Sequence, residues 1–187
     1  AMKSVGEVLA IGRTFKESLQ KALRGLENGQ KGFDRPKGID DPAKVDERTI
    51  LRKLSLPYSD RLAYVRLGLE QGLSPAELAE ITAIDVWFLH QLKDILDFEA
   101  EIIKRPMTAE LMREAKQLGF SDAQLARLTG KKEAAVRARR LALGVKPSYK
   151  LVDTCAAEFE ATTPYFYSTY DGENEAAPSR KKKKIVI

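Results

Sequence analysis

The residues in this sequence that could do chemistry are few and scattered. His90 is the only histidine and Cys155 the only cysteine among 187 residues, so the usual four-ligand sets for zinc cannot be assembled. No histidine or basic residue stands close enough to Cys155 in the sequence to favour a thiolate, and we expect a small buried residue there. We expect His90 to be a partly exposed or hydrogen-bonded structural histidine.

Two acidic groups and one glycine-punctuated stretch are the remaining candidates for ligand binding. Asp40-Asp41 and the acids between Asp171 and Glu175 lack the spacing of a calcium loop. The glycines of Gly6–Gly12 do not form a dinucleotide-binding pattern, and no Gly-Lys-Ser/Thr is present. The sequence therefore predicts no catalytic residue, no cofactor-binding residue and no metal ligand, and we expect this chain to be non-catalytic by itself.

Composition and cysteine use point to an ordinary intracellular globular protein. Hydrophobic residues make up 43% and charged residues 32% of the chain, which is typical of soluble domains. No apolar run approaches the length that spans a bilayer, and the N-terminus has no signal-peptide pattern. The single cysteine favours a reducing compartment, so we expect a cytoplasmic location and no membrane partner.

The net charge of +5 comes from one short run. Arg180–Lys184 contributes five of the 32 basic residues, and the remaining 27 equal the 27 acidic residues. A nucleic-acid-binding domain would instead carry its excess charge over its folded surface. The distribution therefore argues against a nucleic-acid partner, although the stretch 131–150 is locally basic and the stretch 151–175 is acidic.

Capping residues followed by apolar residues at helical spacing predict an all-α fold, an irregular bundle of about seven helices. Glycines and prolines supply the stop signals, such as Gly29 for the first helix and Pro106 for the longest. Before the first helix, Ser4–Arg13 suits a short strand or a tight loop. Helix starts are predicted at Thr14, Asp41, Ser59, Ser74, Asp85, Thr108, Ser121 and about Glu133.

The C-terminal part of the chain loses the helical period. From Tyr149 we expect extended chain packed against the helices, because Leu151–Tyr170 is rich in β-branched and aromatic residues. Asp171–Lys184 is polar and is expected to be mobile. Ile185–Ile187 has the composition of the start of a buried strand. The predicted fold therefore ends in an extended, partly flexible segment.

An internal repeat with an offset of 47 residues suggests a second interpretation. Gly72-Leu73-Ser74 recurs as Gly119-Phe120-Ser121, and each copy predicts a short capped helix, a turn and a second helix. That outline is shared by helix-turn-helix nucleic-acid-binding modules. In the second copy the arginines that could read nucleic acid are Arg137, Arg139 and Arg140, whereas the first copy carries apolar residues at its second helix.

Three stretches of the sequence resemble one enzyme family. Ser4 to Glu27, SVGEVLAIGRTFKESLQKALRGLE, with GFD at Gly32–Asp34, resembles the carbamoyl phosphate synthetase large subunit where its first ATP-grasp half closes and its central helical domain begins. Ile84–Leu92, IDVWFLHQL, resembles the family's Trp-Phe-Leu helix. Val152–Phe159, VDTCAAEF, with Tyr165–Tyr170 behind it, resembles the family's exit segment. The Arg180–Lys184 run and Pro164 depart from the family pattern.

The resemblance implies that the catalytic parts lie outside this chain. In that family the first ATP-grasp half phosphorylates bicarbonate and forms carbamate with ammonia that a glutaminase small subunit supplies. The second half makes carbamoyl phosphate for arginine and pyrimidine biosynthesis, using ATP with a divalent metal. By this resemblance residues 1–17 are the tail of the first half, residues 18–178 are the helical oligomerisation and connector domain, and residues 179–187 begin the second half.

The resemblance implies an oligomerisation role, and we expect the helix at Asp85–Lys104 to carry the surface for it. Trp87 and Phe88 near its start are the candidate self-association surface. Core packing is an equally good interpretation of the same two residues. The expected partners are the flanking ATP-grasp halves, other large subunits in a dimer or tetramer, and the small subunit.

Overall fold

The fold is mostly helical, as predicted. The computed structural model describes residues 7–156, 158–160 and 165–176. Within these residues the chain forms eight α helices, where about seven were expected, and one small two-stranded sheet. The elements are α1 (Phe15–Gly25), α2 (Glu47–Ser55), α3 (Arg61–Glu70), α4 (Pro75–Thr82), α5 (Val86–Lys104), α6 (Ala109–Gln117), α7 (Asp122–Thr129), α8 (Glu133–Ala142), β1 (Ser148–Leu151) and β2 (Phe166–Thr169).

Helix α1 begins where the sequence predicts but with a different use of its glutamate. The Thr14 hydroxyl accepts a hydrogen bond from the Glu17 amide, whereas the Glu17 carboxylate binds the Arg13 amide at 2.7 Å. The spacing of Thr14 and Glu17 predicts a reciprocal capping box, and this prediction is wrong because Glu17 binds the amide of Arg13 and not that of Thr14. Helix α1 also ends at Gly25, before Gly29, and residues 7–12 ahead of it are irregular, in agreement with the loop alternative.

Two predicted helix starts are corrected. Asp41 and Pro42 begin only a single 3₁₀ turn, Pro42–Lys44, because Val45 returns to an extended conformation. Helix α2 begins after Asp46, whose carboxylate accepts from the Thr49 amide at 3.0 Å. Helix α3 follows Asp60 and not Ser59, and no side chain caps it.

The repeat seen in the sequence is a repeat of three helices. Helices α3 to α5 and α6 to α8 follow one another at the 47-residue offset, with capping boxes at Ser74 and Ser121. Gly72 and Gly119 both have φ above +90°, a conformation that favours glycine. The amides of the next residues, Leu73 and Phe120, bind back to the preceding helices at 2.9 and 3.0 Å. The two copies therefore share the same turn geometry.

The C-terminal segment forms a small antiparallel ribbon. Strand β1 pairs with β2 so that Ser148 faces Thr169 and Leu151 faces Phe166. On the outer edge of β1, the Glu175 amide donates to the Tyr149 carbonyl at 2.8 Å. Residues 171–176 are thus bound to the ribbon where the sequence suggested a mobile tail. The predicted strand at Ile185–Ile187 and the stretch 177–184 lie outside the described residues.

Helix α1 holds the beginning and the end of the described chain together. The buried Glu17 carboxylate accepts from the Thr169 hydroxyl of β2 at 3.2 Å and pairs with Lys21 at 2.9 Å. Lys21 in turn donates to the Ile11 carbonyl at 2.8 Å and to the Ser168 carbonyl. The entry loop, α1 and the ribbon form one connected structure.

A buried arginine joins the connector before α2 to the first repeat. Arg66 of α3 is 5% exposed, and its guanidinium binds both oxygens of Glu99 in α5, at 3.0 and 2.5 Å. The same side chain donates to Glu70 at 2.9 Å and to the Phe33 carbonyl. Because the pair is buried and bidentate, each partner compensates the desolvation of the other.

A second charged cluster lies in the second repeat. Asp122, at the start of α7, accepts from Arg140 of α8 and from Lys116 of α6, at 2.9 and 3.0 Å. Partial burial tends to raise the pKa of Asp122, but the hydrogen bond from Arg140 and the charge of Lys116 outweigh it and lower that pKa below 3.8. The cluster therefore stabilises the fold only while Asp122 is ionised.

We predict that Glu99→Ala lowers the free energy of unfolding by about 3–5 kcal/mol, because it leaves a buried guanidinium without its main partner. Urea denaturation followed by circular dichroism measures the loss. Asp97→Ala is the matched control on the same helix, since Asp97 pairs with Lys93 on the exposed surface and should cost less than about 1 kcal/mol. Equal losses in the two variants would contradict the role of the buried pair.

We predict that Asp122→Asn weakens the acid dependence of stability. A carboxylate with a lowered folded pKa contributes stability above its ordinary pKa of 3.8, and that contribution is lost as the pH falls through the folded value. The wild-type chain should therefore lose more stability between pH 5 and pH 3, taken as roughly the titration range, than the variant does. Thermal melts at each pH test this, and parallel curves would refute it.

Candidate self-association surface

The first turn of α5 presents apolar residues to solvent. The Asp85 carboxylate accepts from the Trp87 amide at 2.8 Å and begins the helix. Leu89 and Leu92 then point into the core and are almost fully buried. The helical period places Val86, Trp87 and Phe88 on the outer side of the same turn. We call these three residues with Phe15 of α1 the aromatic patch.

The rings of the aromatic patch pack on one another but not into the core. The Phe15 ring centroid lies 5.5 Å from that of Trp87 and 5.1 Å from that of Phe88, and the Trp87 and Phe88 centroids are 4.9 Å apart. Trp87 is still 51% exposed and Phe88 41% exposed. Core packing therefore does not describe these two side chains, and their role as a self-association surface stays a prediction.

The patch is held by contacts between α1 and α5. Lys16 of α1 pairs with Asp94 of α5 at 2.7 Å, one residue after Phe15. No local pattern in the sequence predicts that Phe15 belongs to the patch, because only the tertiary fold brings α1 and α5 together. A fixed group of three rings loses little conformational freedom when it binds a partner, which favours association.

An open pocket of about 420 Å³ lies between α6, α7 and α8, and we call it the α8 pocket. The buried side chains of Met112, Leu125 and Val136 line it. Exposed residues complete its lining, among them Lys131 and Arg139. The α8 pocket is therefore lined by apolar side chains and by two exposed cations. No local sequence pattern predicts it.

The structure places the other candidate residues apart from one another. His90 is exposed on α5, as expected, whereas Cys155 is only half-buried and not the buried residue that the sequence suggested. Among the described residues, no three His, Cys, Asp or Glu side chains come together as a metal site would require. Within that same part of the chain, no helix is both long and apolar enough to cross a bilayer.

One of the three arginines on which the helix-turn-helix interpretation depends is buried. Arg140 is 7% exposed and binds Asp122 and the Val145 carbonyl. Its guanidinium therefore stabilises the second repeat and cannot reach a nucleic acid. Arg137 and Arg139 remain exposed on α8.

Comparison with known proteins identifies the family. Residues 7–144 match the sequence profile of the carbamoyl-phosphate synthetase large chain, oligomerisation domain. Carbamoyl phosphate synthase large chains of Rhodopirellula baltica, Nostoc sp. and Archaeoglobus fulgidus are 49%, 48% and 44% identical to it. Each alignment covers the whole of this chain but only 17% or 18% of the relative. The chain therefore belongs to the oligomerisation domain family of carbamoyl phosphate synthetase large chains.

Proposed function

We propose that this domain joins subunits through the aromatic patch and connects two catalytic halves of a longer protein. A half-exposed tryptophan, held against two phenylalanine rings, is the observation that supports the first role. Tryptophan is prominent among residues that dominate binding energy at protein interfaces. Exposing such a group in a monomer gains nothing, whereas covering it with a second subunit is favourable.

The second role follows from the size of the relatives. The chain spans 17% or 18% of their length, so the remainder of such a protein would carry the catalysis. We infer that residues 1–17 belong to the end of a first ATP-grasp half, residues 18–178 to the connector, and residues 179–187 to the start of a second half. The hydrogen bonds of α1 with the ribbon would then fix the path of the chain between the halves.

The proposed parent makes carbamoyl phosphate from bicarbonate, ammonia derived from glutamine, and ATP with a divalent metal. Its product would serve arginine and pyrimidine biosynthesis in the cytoplasm. Its partners would be the two flanking halves, further large subunits in a dimer or tetramer, and a glutaminase small subunit. This domain would contribute no catalytic residue. It would instead hold the two flanking halves and the further subunits in a fixed arrangement.

We predict that Trp87→Ala raises the dissociation constant for self-association at least ten-fold, because loss of an interface tryptophan costs more than about 1.4 kcal/mol in binding. Sedimentation equilibrium over a range of chain concentrations measures this constant. The fold should be unaffected, since Trp87 is half-exposed.

The matched control is Ile103→Ala on the same helix. Ile103 is 61% exposed and lies roughly 24 Å along α5 from Trp87, at 1.5 Å per residue. This variant should associate as the wild type does. A wild-type chain that stays monomeric at the highest concentrations, or an equal effect of both substitutions, would refute the proposed surface.

A further inference from the structure

The two repeats differ in the size and polarity of two side chains on their last helices, α5 and α8. At the 47-residue offset, Ala135 and Arg139 of α8 stand where the first repeat has Phe88 and Leu92. Leu92 is buried in the core and Phe88 packs against Phe15 and Trp87. The second repeat thus has a methyl group and a polar chain where the first has two large apolar side chains. The α8 pocket lies next to these smaller or polar residues.

The first turns of α5 and α8 also differ in the helix that packs against them. Helix α1 packs against α5 through Phe15 and the pair between Lys16 and Asp94. On α8 only Val136 and Arg140 are buried, and Ala135 and Leu141 face solvent. Among the described residues, nothing equivalent to α1 covers this side of α8. The first repeat has an aromatic contact at Phe88, and the second repeat has none at the equivalent position, Ala135.

We propose that the α8 pocket of one chain receives Trp87 of a second copy of the chain. This inference rests on the proposed self-association and names the surface on which the aromatic patch docks. A volume of about 420 Å³ lies within the range of roughly 300–1,000 Å³ of pockets that enclose organic groups. An aromatic anchor that enters a preformed apolar pocket is the usual centre of a strong interface.

Charge favours this pairing over contact between two identical patches. Asp85 is exposed two residues before Trp87, and its carboxylate makes no ion pair within the described part of the chain. Lys131 and Arg139 beside the pocket are likewise exposed and unpaired there. Docking of Trp87 into the pocket brings opposite charges together, whereas contact between two patches brings two Asp85 carboxylates together.

The fluorescence of the chain reports the docking directly, because Trp87 is the only tryptophan. Its emission should shift to shorter wavelength as the chain concentration rises and the indole leaves water. Ala135→Phe introduces the residue that the first repeat has at this place and fills the pocket. We expect this variant to raise the dissociation constant at least ten-fold and to remove the concentration-dependent shift.

Arg139→Glu provides a second variant on an exposed residue, so that loss of folding cannot explain the result. We expect it to weaken association, and we expect Asp85→Lys in the same chain to restore part of the loss. Arg137→Glu is the matched control, because Arg137 is exposed on the same helix but does not line the pocket. Circular dichroism verifies that every variant is folded.

The outcomes separate this inference from the proposed function. If Trp87→Ala abolishes association while Ala135→Phe and Arg139→Glu associate as the wild type does, Trp87 docks elsewhere and the inference is overturned, whereas self-association stands. If the wild-type chain never associates, both fail. If the pocket variants and Trp87→Ala weaken association together and Arg137→Glu does not, the pocket is the docking surface.

Discussion

A guanidinium charge in the helical core is the constraint on which the arrangement of the first repeat depends. Leaving Arg66 buried without partners would cost several kcal/mol, so the chain must bring acceptors to it from distant positions. Glu99 reaches it from the middle of α5, where the helix has carried the carboxylate roughly 20 Å from its start. The Phe33 carbonyl reaches it because the connector folds back over α3. One side chain thus binds α5 and the connector to α3.

Local signals predicted the helices well and failed where distant contacts decide. The capping boxes at Ser74 and Ser121 formed as the sequence indicated, because their hydrogen bonds lie within four residues. Glu17 has the same spacing but is drawn into a cluster with β2 and Arg13. Helix α2 begins after Asp46 and not after Asp41 because Val45 between them is extended and packs against the core. Tertiary contacts override local preference in such places.

At the candidate site, too, some features follow from local sequence and others only from tertiary contacts. The sequence identified Trp87 and Phe88 but could not decide between core and surface, since their exposure depends on where α1 lies. The burial of Glu99 could have been predicted, since this residue falls at helical spacing between the buried Ile95 and Ile102. A carboxylate on an apolar stripe indicates a buried cationic partner. The α8 pocket, by contrast, arises from the packing of three helices and has no counterpart in any local pattern.

The chain enters and leaves this domain at one place. Glu17 and Lys21 near the entry bind Thr169 and Ser168 near the exit, and Arg13 approaches Asp171 within 3.6 Å. Topologically the described part of the chain is a closed loop whose two ends meet, as the ends of an inserted domain do. Residues of α1 and of β2 are therefore held close in space although about 150 residues separate them in the sequence. A tilt of the helices about those joined ends would move the far side of the domain through a wide arc while hardly changing the distance between Arg13 and Asp171.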